Sequence, residues 1–320
     1  MNNSSSSSSS NNSGGGGGSP EIPWRGVRAC AWPPRPQSTD PARVRMIAAE
    51  EIAAWTVFED ERLLVIDKPG DVVCHPSKAG PWSSLAGAVR EAKALAKAHL
   101  VFRLDRETSG VVVFAKDERM ASRLQRAMQE RRVRKSYLAI LDGDLPTAGV
   151  ATGVAAGVAA AGEITVDQPL GDDISSPVYI KTCVRPDGKP AVSHFTVVAR
   201  GGGFTLVRVR LETGRKHQIR AHARWLGAPV VGDKIYGPDE RIYLDFIDTG
   251  YTPVLAARLH LPRQALHCAE IGFPDIGPGL PPVLRAPLAP DLRTFARERM
   301  GLTEETPTEE TLTPTPTGGL

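Results

Sequence analysis

The chain has few cysteines, and their positions exclude two classes of protein. Among 320 residues there are four, Cys30, Cys74, Cys183 and Cys268, and no two of them stand in a CxxC pair. This spacing argues against a structural zinc site and against a disulfide framework. We therefore expect free thiols in a reducing compartment, and a cytoplasmic protein.

Long hydrophobic runs and targeting signals are also absent. No apolar stretch reaches the roughly 20 residues that cross a bilayer, and the N-terminus lacks the basic and apolar regions of a signal peptide. The nearest approach is the Ala/Gly/Val run at 148–162, which is too short and too weakly apolar, so we interpret it as a flexible insert or a glycine-rich hairpin. The sequence predicts no membrane partner.

Several catalytic motifs are missing as well. There is no GxxxxGK[ST] or GxGxxG loop and no HExxH, and Ser109, between Thr108 and Gly110, lacks the GxSxG elbow. The seven histidines include His217 and His222, but no carboxylate stands beside them at zinc-site spacing. We predict an enzyme that needs no metal and no cofactor, and a serine hydrolase is a weak alternative.

Composition divides the chain into three parts. Residues 1–19 are almost entirely Ser, Asn and Gly, and 20–41 are rich in proline, so we predict a disordered tail and linker over 1–41. Residues 301–320 read as a disordered acidic tail. The domain predicted over 42–300 is long enough for one large core. The formal net charge of +3 suits a polyanionic partner without proving one.

The strongest chemical signal is the segment 102–110, Phe-Arg-Leu-Asp-Arg-Glu-Thr-Ser-Gly, which precedes a Val-Val-Val-Phe run typical of a strand. It places Asp105 between Arg103 and Arg106. A carboxylate beside guanidinium groups has a lowered pKa and stays ionised. Asp105 could therefore be a nucleophile, a general base or one half of a structural ion pair.

Hydrophobic periodicity predicts more strands than helices, and most strands follow one another without a crossover helix. Strands are predicted at 57–68, 111–115, 136–141, 191–198, 204–212 and 262–273, with period-2 apolar spacing over 206–211. Helices are expected from Ser83 or Ser84 to about His99, after Asp117, over 215–226, and over 291–300. This order favours an α+β domain with a mainly antiparallel mixed sheet flanked by helices.

Two helical segments carry clustered polar side chains. The segment 119–135 is rich in arginine, which indicates either a solvated basic face or an edge that binds phosphates. On the helix predicted over 215–226, His217, Arg220, Ala221 and Arg224 would share one face. Together with Asp105 and a tyrosine on a strand, this set suits covalent or base chemistry by an ionised Asp.

Four motifs in order resemble the RluA-type pseudouridine synthases, over about residues 57–275. The segment 103–110 is similar to the signature of that family, and 213–222 (TGRKHQIRAH) to its second motif. The segments 67–70 (DKPG) and 263–268 (RQALHC) resemble its first and last motifs. Phe102 and Lys216 depart from the pattern, which usually has His and Thr there, and we expect these departures to alter how flanking nucleotides are held.

The resemblance implies a pseudouridine synthase-type fold and the isomerisation of uridine to pseudouridine in ribosomal or transfer RNA, without cofactor or metal. Asp105 matches the catalytic Asp, acting as a nucleophile or directly on the ribose, and Arg220 matches its arginine partner. Tyr137 matches the tyrosine that packs on the base and is a candidate for handling the C5 proton. We predict substrate contacts from Leu266, Arg103, Arg106, His217 and Arg215.

The same resemblance implies a structured RNA whose target uridine leaves its helix. We expect a monomer, and there is no room before the catalytic region for the S4 RNA-binding module of many relatives. Two alternatives from other classes stay open: an RNA-binding protein of this fold that has lost activity, and a glycosidase-like hydrolase that would release free uracil.

Overall fold

A computed structural model of the chain describes residues 46–75, 83–145, 157–158, 163–274 and 280–303. All described residues belong to one compact unit. The predicted tail and linker over 1–41, and all but the first three residues of the predicted acidic tail, lie outside the described residues. The Ala/Gly-rich run also lies largely outside them, apart from a two-residue strand at Gly157–Val158.

Seven helices occur in the described ranges. They are α1 (Ala49–Trp55), α2 (Leu85–Ala92), α3 (Glu118–Gln129), α4 (Gln218–Trp225), α5 (Arg241–Thr249), α6 (Pro253–Leu259) and α7 (Pro290–Met300).

The same ranges contain thirteen strands. They are β1 (Thr56–Glu59), β2 (Leu63–Lys68), β3 (His99–Leu100), β4 (Ser109–Ala115), β5 (Arg134–Asp142), β6 (Gly157–Val158), β7 (Glu163–Asp167), β8 (Leu170–Asp172), β9 (Thr182–Val184), β10 (Val192–Gly201), β11 (Phe204–Leu211), β12 (Leu266–Gly272) and β13 (Val283–Arg285).

One mixed sheet organises the molecule, in the order β1-β2-β4-β12-β5-β11-β10-β7-β6, with β3 on β4 and β13 on β12. Every pairing in it is antiparallel except that of β4 with β12, and β8 and β9 form a separate hairpin. The predicted α+β class with a mainly antiparallel sheet is confirmed. Its central strands read as continuous apolar runs because both faces are covered: all of β4 is buried.

Local sequence signals set the starts of α2 and α3. The Ser84 side chain accepts a hydrogen bond from the Gly87 N–H, and that of Asp117 accepts one from Met120, as expected for N-caps. The end predicted for α2 is wrong. The helix stops at Ala92 because Ala94 takes a left-handed conformation (φ 49°), and His99 lies in β3 instead.

The start predicted for α4 is also wrong. His217 has φ 55° and precedes the helix, so α4 begins at Gln218. Arg224 is exposed whereas Arg220 is buried, so the predicted shared face does not form. Helices α1, α5 and α6 were not predicted from the sequence.

Three strands meet where the site forms. Gly110 at the start of β4 lies beside Cys268 of β12, and Cys268 in turn faces Tyr137 of β5. The approach of β4 to β12 requires glycine, because Gly110 has φ 108° and a Cβ there would lie 2.2 Å from the Cys268 carbonyl oxygen. The sheet therefore brings together the turn before β4, the start of β5 and the start of β12.

Candidate active site

Asp105 lies in the turn before β4, at the mouth of a small cavity. Its side chain is 39% exposed, and its Oδ2 accepts a hydrogen bond from Arg220 Nη1 at 3.0 Å. The partner is therefore Arg220, as the resemblance implied, although 115 residues separate the two in sequence. Arg103 and Arg106, the neighbours in sequence, are both exposed, and neither forms an ion pair with Asp105.

Arg220 is held by a second carboxylate that the sequence reading did not single out. Its Nε and Nη2 donate to Asp233 at 2.6 and 2.8 Å, and Asp233 is fully buried. Asp233 Oδ1 also accepts from the backbone N–H groups of Ile235 and Tyr236. The guanidinium is thus fixed by a bidentate pair on one side and presents its remaining nitrogen to Asp105.

The charges around Asp105 favour its ionised form. Burial raises the pKa of Asp105, but the positive charge and hydrogen bond of Arg220 outweigh burial and hold the pKa below its ordinary value. The same balance of burial against Arg220 lowers the pKa of Asp233. Asp105 is therefore a carboxylate throughout the neutral range, with one oxygen oriented by Arg220.

His217 stands beside this pair but does not act as a cation at neutral pH. Its Nε2 is 3.8 Å from Asp105 Oδ2, and its Nδ1 is 3.1 Å from the Tyr236 hydroxyl. Burial, followed by the charge of Arg220, lowers the pKa of His217 to about 4. The Tyr236 hydroxyl also lies 2.8 Å from Thr182 Oγ1, which ties the β8–β9 hairpin to the site.

Tyr137 and Leu266 provide the apolar side of the site, from β5 and β12. Their exposed fractions are 7% and 4%. Burial, followed by the neighbouring Cys268, raises the pKa of Tyr137 well above its ordinary value. Tyr137 is therefore a neutral phenol in the working range of pH.

These side chains line a cavity of about 90 Å³. Of the residues predicted from the sequence, it is lined by Asp105, Arg220, Tyr137, Leu266, Arg103, His217 and Arg215. Arg106 is not among the lining residues. Its carbonyl oxygen instead accepts a hydrogen bond from Lys68 Nζ at 3.0 Å.

Two buried lysines hold the turn that carries Asp105. Lys68 Nζ donates to the carbonyls of Val72 and Pro69 as well as that of Arg106, and its burial lowers its pKa to about 8. Lys234, 2% exposed, pairs with Glu107 two residues after Asp105. Lys68 belongs to the 67–70 segment, but neither its role nor that of Lys234 was predicted, because a buried Lys bonded to carbonyls has no signature at sequence level.

The described ranges contain neither a metal-binding cluster nor a membrane-spanning helix. Within those ranges, no group of three or more His, Cys, Asp or Glu side chains is placed to hold a metal ion. None of the helices described is long and apolar enough to span a bilayer.

Comparison with known sequences gives consistent matches. A family model described as RNA pseudouridylate synthase matches residues 62–225. The chain is 34% identical over 249 residues to the ribosomal large subunit pseudouridine synthase D of Vibrio vulnificus, a match that covers 76% of this chain and 70% of the relative. It is also 34% identical over 251 residues to the protein of that name from Xanthomonas campestris, covering 77% and 69%.

Solved structures show the same fold. Human RNA pseudouridylate synthase domain containing 4 superposes with a TM-score of 0.57 at 24% identity, covering 78% of this chain and 94% of the human one. Human RNA pseudouridylate synthase domain containing 1 gives 0.55 at 24%, covering 74% and 85%. Fold and sequence therefore agree, and the chain belongs to the RNA pseudouridylate synthase family, whose members are isomerases.

Proposed function

We propose that this chain isomerises specific uridines of large-subunit ribosomal RNA, with Asp105 as the catalytic residue. The relatives from Vibrio and Xanthomonas are named for the ribosomal large subunit, which supports this RNA over transfer RNA. The observation that carries the proposal is the ionised Asp105, oriented by Arg220 at 3.0 Å inside a cavity that Tyr137 and Leu266 also line.

The reaction is balanced without a cofactor. The C1′–N1 bond of uridine breaks, the uracil turns, a C1′–C5 bond forms, and the base loses a proton from C5 and gains one at N1. Asp105 acts either by bonding to C1′ as N1 leaves or directly on the ribose. Both routes begin with an ionised carboxylate, which Arg220 maintains.

One carboxylate oxygen of Asp105 is available for the reaction. Oδ2 is held by Arg220, and within the described part of the chain Oδ1 has no hydrogen-bond donor. We assign Oδ1 to the reacting ribose. Arg220 is the catalytic partner that touches Asp105, and Asp233 is a positioning residue that acts through Arg220.

The neutral side chains contact the base. Tyr137 packs on the uracil as an uncharged phenol and is placed to handle the C5 proton, while Leu266 covers the ring. His217, also uncharged, contributes hydrogen bonds and no formal charge. A cavity of about 90 Å³ is small for a paired and stacked nucleotide, and this supports a target uridine that leaves its helix to enter it.

Arginines at the rim contact the backbone of the RNA. Arg103 and Arg215 line the cavity, and Arg106 is exposed next to Asp105. We further propose that the catalytic domain over 42–300 works as a cytoplasmic monomer without metal or cofactor. The scattered thiols, with no CxxC pair among them, support that location.

A map of the pseudouridine sites that the protein produces tests the proposed function. The purified protein is incubated with ribosomal and transfer RNA from cells that lack its gene, and pseudouridine is mapped chemically. We expect one or a few new sites in large-subunit RNA. RNA binding without any modification would favour the inactive RNA-binding alternative, and released uracil would favour a hydrolase.

A further inference from the structure

A second, larger cavity adjoins the active-site cavity and is strongly basic. This basic groove has a volume of about 720 Å³ and shares Arg103, Leu211 and Arg215 with the smaller cavity. Six cations line it: Arg103, Arg131, Arg134, Lys135, Arg210 and Arg215. The one carboxylate in its lining, Glu212, lies 2.7 Å from His194.

Most of these cations have no carboxylate partner among the described residues. Considering only the described residues, Arg131, Arg134 and Lys135 have no acidic group within ion-pair distance. Arg215 donates to the Pro190 carbonyl, and Arg210 lies 3.5 Å from Glu163. Charges left unpaired along one groove suit a polyanion, and an RNA backbone supplies one.

The groove contains one aromatic side chain, Phe102. It packs partly against the core while lining the groove, and Lys135 Nζ lies 5.4 Å from the centre of its ring. A basic groove with an aromatic side chain is the usual arrangement for single-stranded nucleic acid, in which bases stack on the ring and cations follow the phosphates.

The chain path gives the position of this contact relative to the target. Phe102 lines only the groove, Arg103 lines both cavities, and Asp105 lines only the active-site cavity. Asp105, the reacting carboxylate, therefore stands three positions after Phe102, so this short segment passes from the groove to the active-site cavity. A nucleotide at Phe102 would be a close neighbour of a uridine at Asp105.

We propose that the groove binds the unpaired nucleotide adjoining the target uridine, with its base stacked on Phe102 and its phosphate held by Lys135. This rests on the proposed function and adds a positioning role for Phe102, one of the two residues by which this chain departs from the family pattern. It makes Phe102 a determinant of which uridine is accepted.

Kinetics test the stacking. With an RNA oligonucleotide built around the mapped uridine, Phe102→Leu should raise KM about tenfold, the usual loss when one base–aromatic stack is removed. The single-turnover rate at saturating RNA should stay within about twofold of wild type, and Phe102→Tyr should restore KM. The matched control is Phe58→Leu, which is also half-buried against the core but outside the groove.

A spectroscopic signal tests the position. The oligonucleotide carries 2-aminopurine next to the target, and the Asp105→Asn background prevents turnover. Binding should quench the fluorescence when Phe102 is present and leave it high in Phe102→Leu. Lys135→Gln should lower the salt slope of binding by about 0.7, whereas Lys97→Gln, an exposed lysine outside the groove, should not.

These experiments distinguish the inference about the groove from the proposed function. If wild type forms pseudouridine but Phe102→Leu behaves like Phe58→Leu, the stacking is wrong and the proposed function stands. If affinity is unchanged when the adjoining nucleotide is locked in a base pair, the groove takes duplex RNA and the inference fails. If wild type modifies no RNA, both are overturned.

Discussion

The active-site cavity and the basic groove differ in how their charges are neutralised. In the cavity, Arg220 bridges Asp105 and Asp233, so each charge has a fixed partner at 3.0 Å or less. In the groove, Arg131, Arg134 and Lys135 have no carboxylate partner among the residues described. Paired buried charges hold a geometry, whereas unpaired cations are available to an outside polyanion. The first arrangement suits chemistry and the second suits binding.

Asp105→Asn should have the largest effect. It keeps the size of the side chain but removes the anion, so we expect isomerisation to fall at least about a thousandfold. RNA affinity should change little, because it comes mostly from phosphate contacts. Pseudouridine formation and filter binding measure the two quantities. Asp144→Asn, at an exposed position, is the control, and retained turnover in Asp105→Asn would remove Asp105 from the role.

Arg220→Lys should have the next largest effect. A lysine keeps the charge, but it cannot hold Asp233 bidentately while reaching Asp105. We expect kcat to fall about a hundredfold, and the unfolding free energy to drop by a few kcal/mol, as for other broken buried pairs. Arg224→Lys, one turn along α4 and exposed, should match wild type in both measurements. A normal kcat in Arg220→Lys would show that charge alone is sufficient.

Stability should depend on pH through buried histidines. Burial is the main cause that lowers the pKa of both His217 and His267 to about 4, so the folded state disfavours their charged forms. Their contribution to stability is fully present above the unfolded pKa of about 6.5 and is lost as pH falls through 4. We expect denaturation at pH 5 to give an unfolding free energy about 4 kcal/mol below that at pH 7.5, on the order of 2 kcal/mol from each histidine.

His267→Gln should reduce that pH difference, even though the variant is less stable at neutral pH. In the wild type, the His267 ring nitrogens lie 3.0 Å from Ser109 Oγ and 3.2 Å from the Ala286 carbonyl oxygen. A glutamine amide can replace the ring at these contacts, but it does not titrate. An unchanged pH dependence in this variant would mean that other groups cause it.

Groove variants should have the smallest effect on catalysis. Arg131→Gln and Arg134→Gln each remove an exposed, unpaired cation, so we expect KM to rise a few-fold and the salt slope of binding to fall by about 0.7 for each. The rate at saturating RNA should not change. A loss of that rate would mean that the groove also sets the geometry at Asp105.

The sequence predicted the sheet and the N-caps of α2 and α3 well, because strand periodicity and capping are local. It predicted the ends of helices less well, because Ala94 and His217 take left-handed conformations that no local rule demands. The link from Asp105 to Arg220 came from a family motif. Adjacency in sequence alone pointed to Arg103 and Arg106, which are exposed.

Asp233 was missed for a physical reason. A buried acid looks like any surface acid in sequence, and its partner lies 13 residues earlier on a different element. The role of Asp233 became visible only through its bidentate contact with Arg220. The sequence indicated part of the groove, because the segment 119–135 is rich in arginine. Only the folded structure places Phe102 beside the cations of that segment.

One measurement tests most directly whether the cavity performs the chemistry and the groove only binds RNA. It is the single-turnover rate of pseudouridine formation at saturating RNA, compared between Asp105→Asn and the double variant Arg131→Gln/Arg134→Gln. We predict that the rate collapses in the first and stays within about twofold of wild type in the second. Equal losses in both, or a normal rate in Asp105→Asn, would contradict the account.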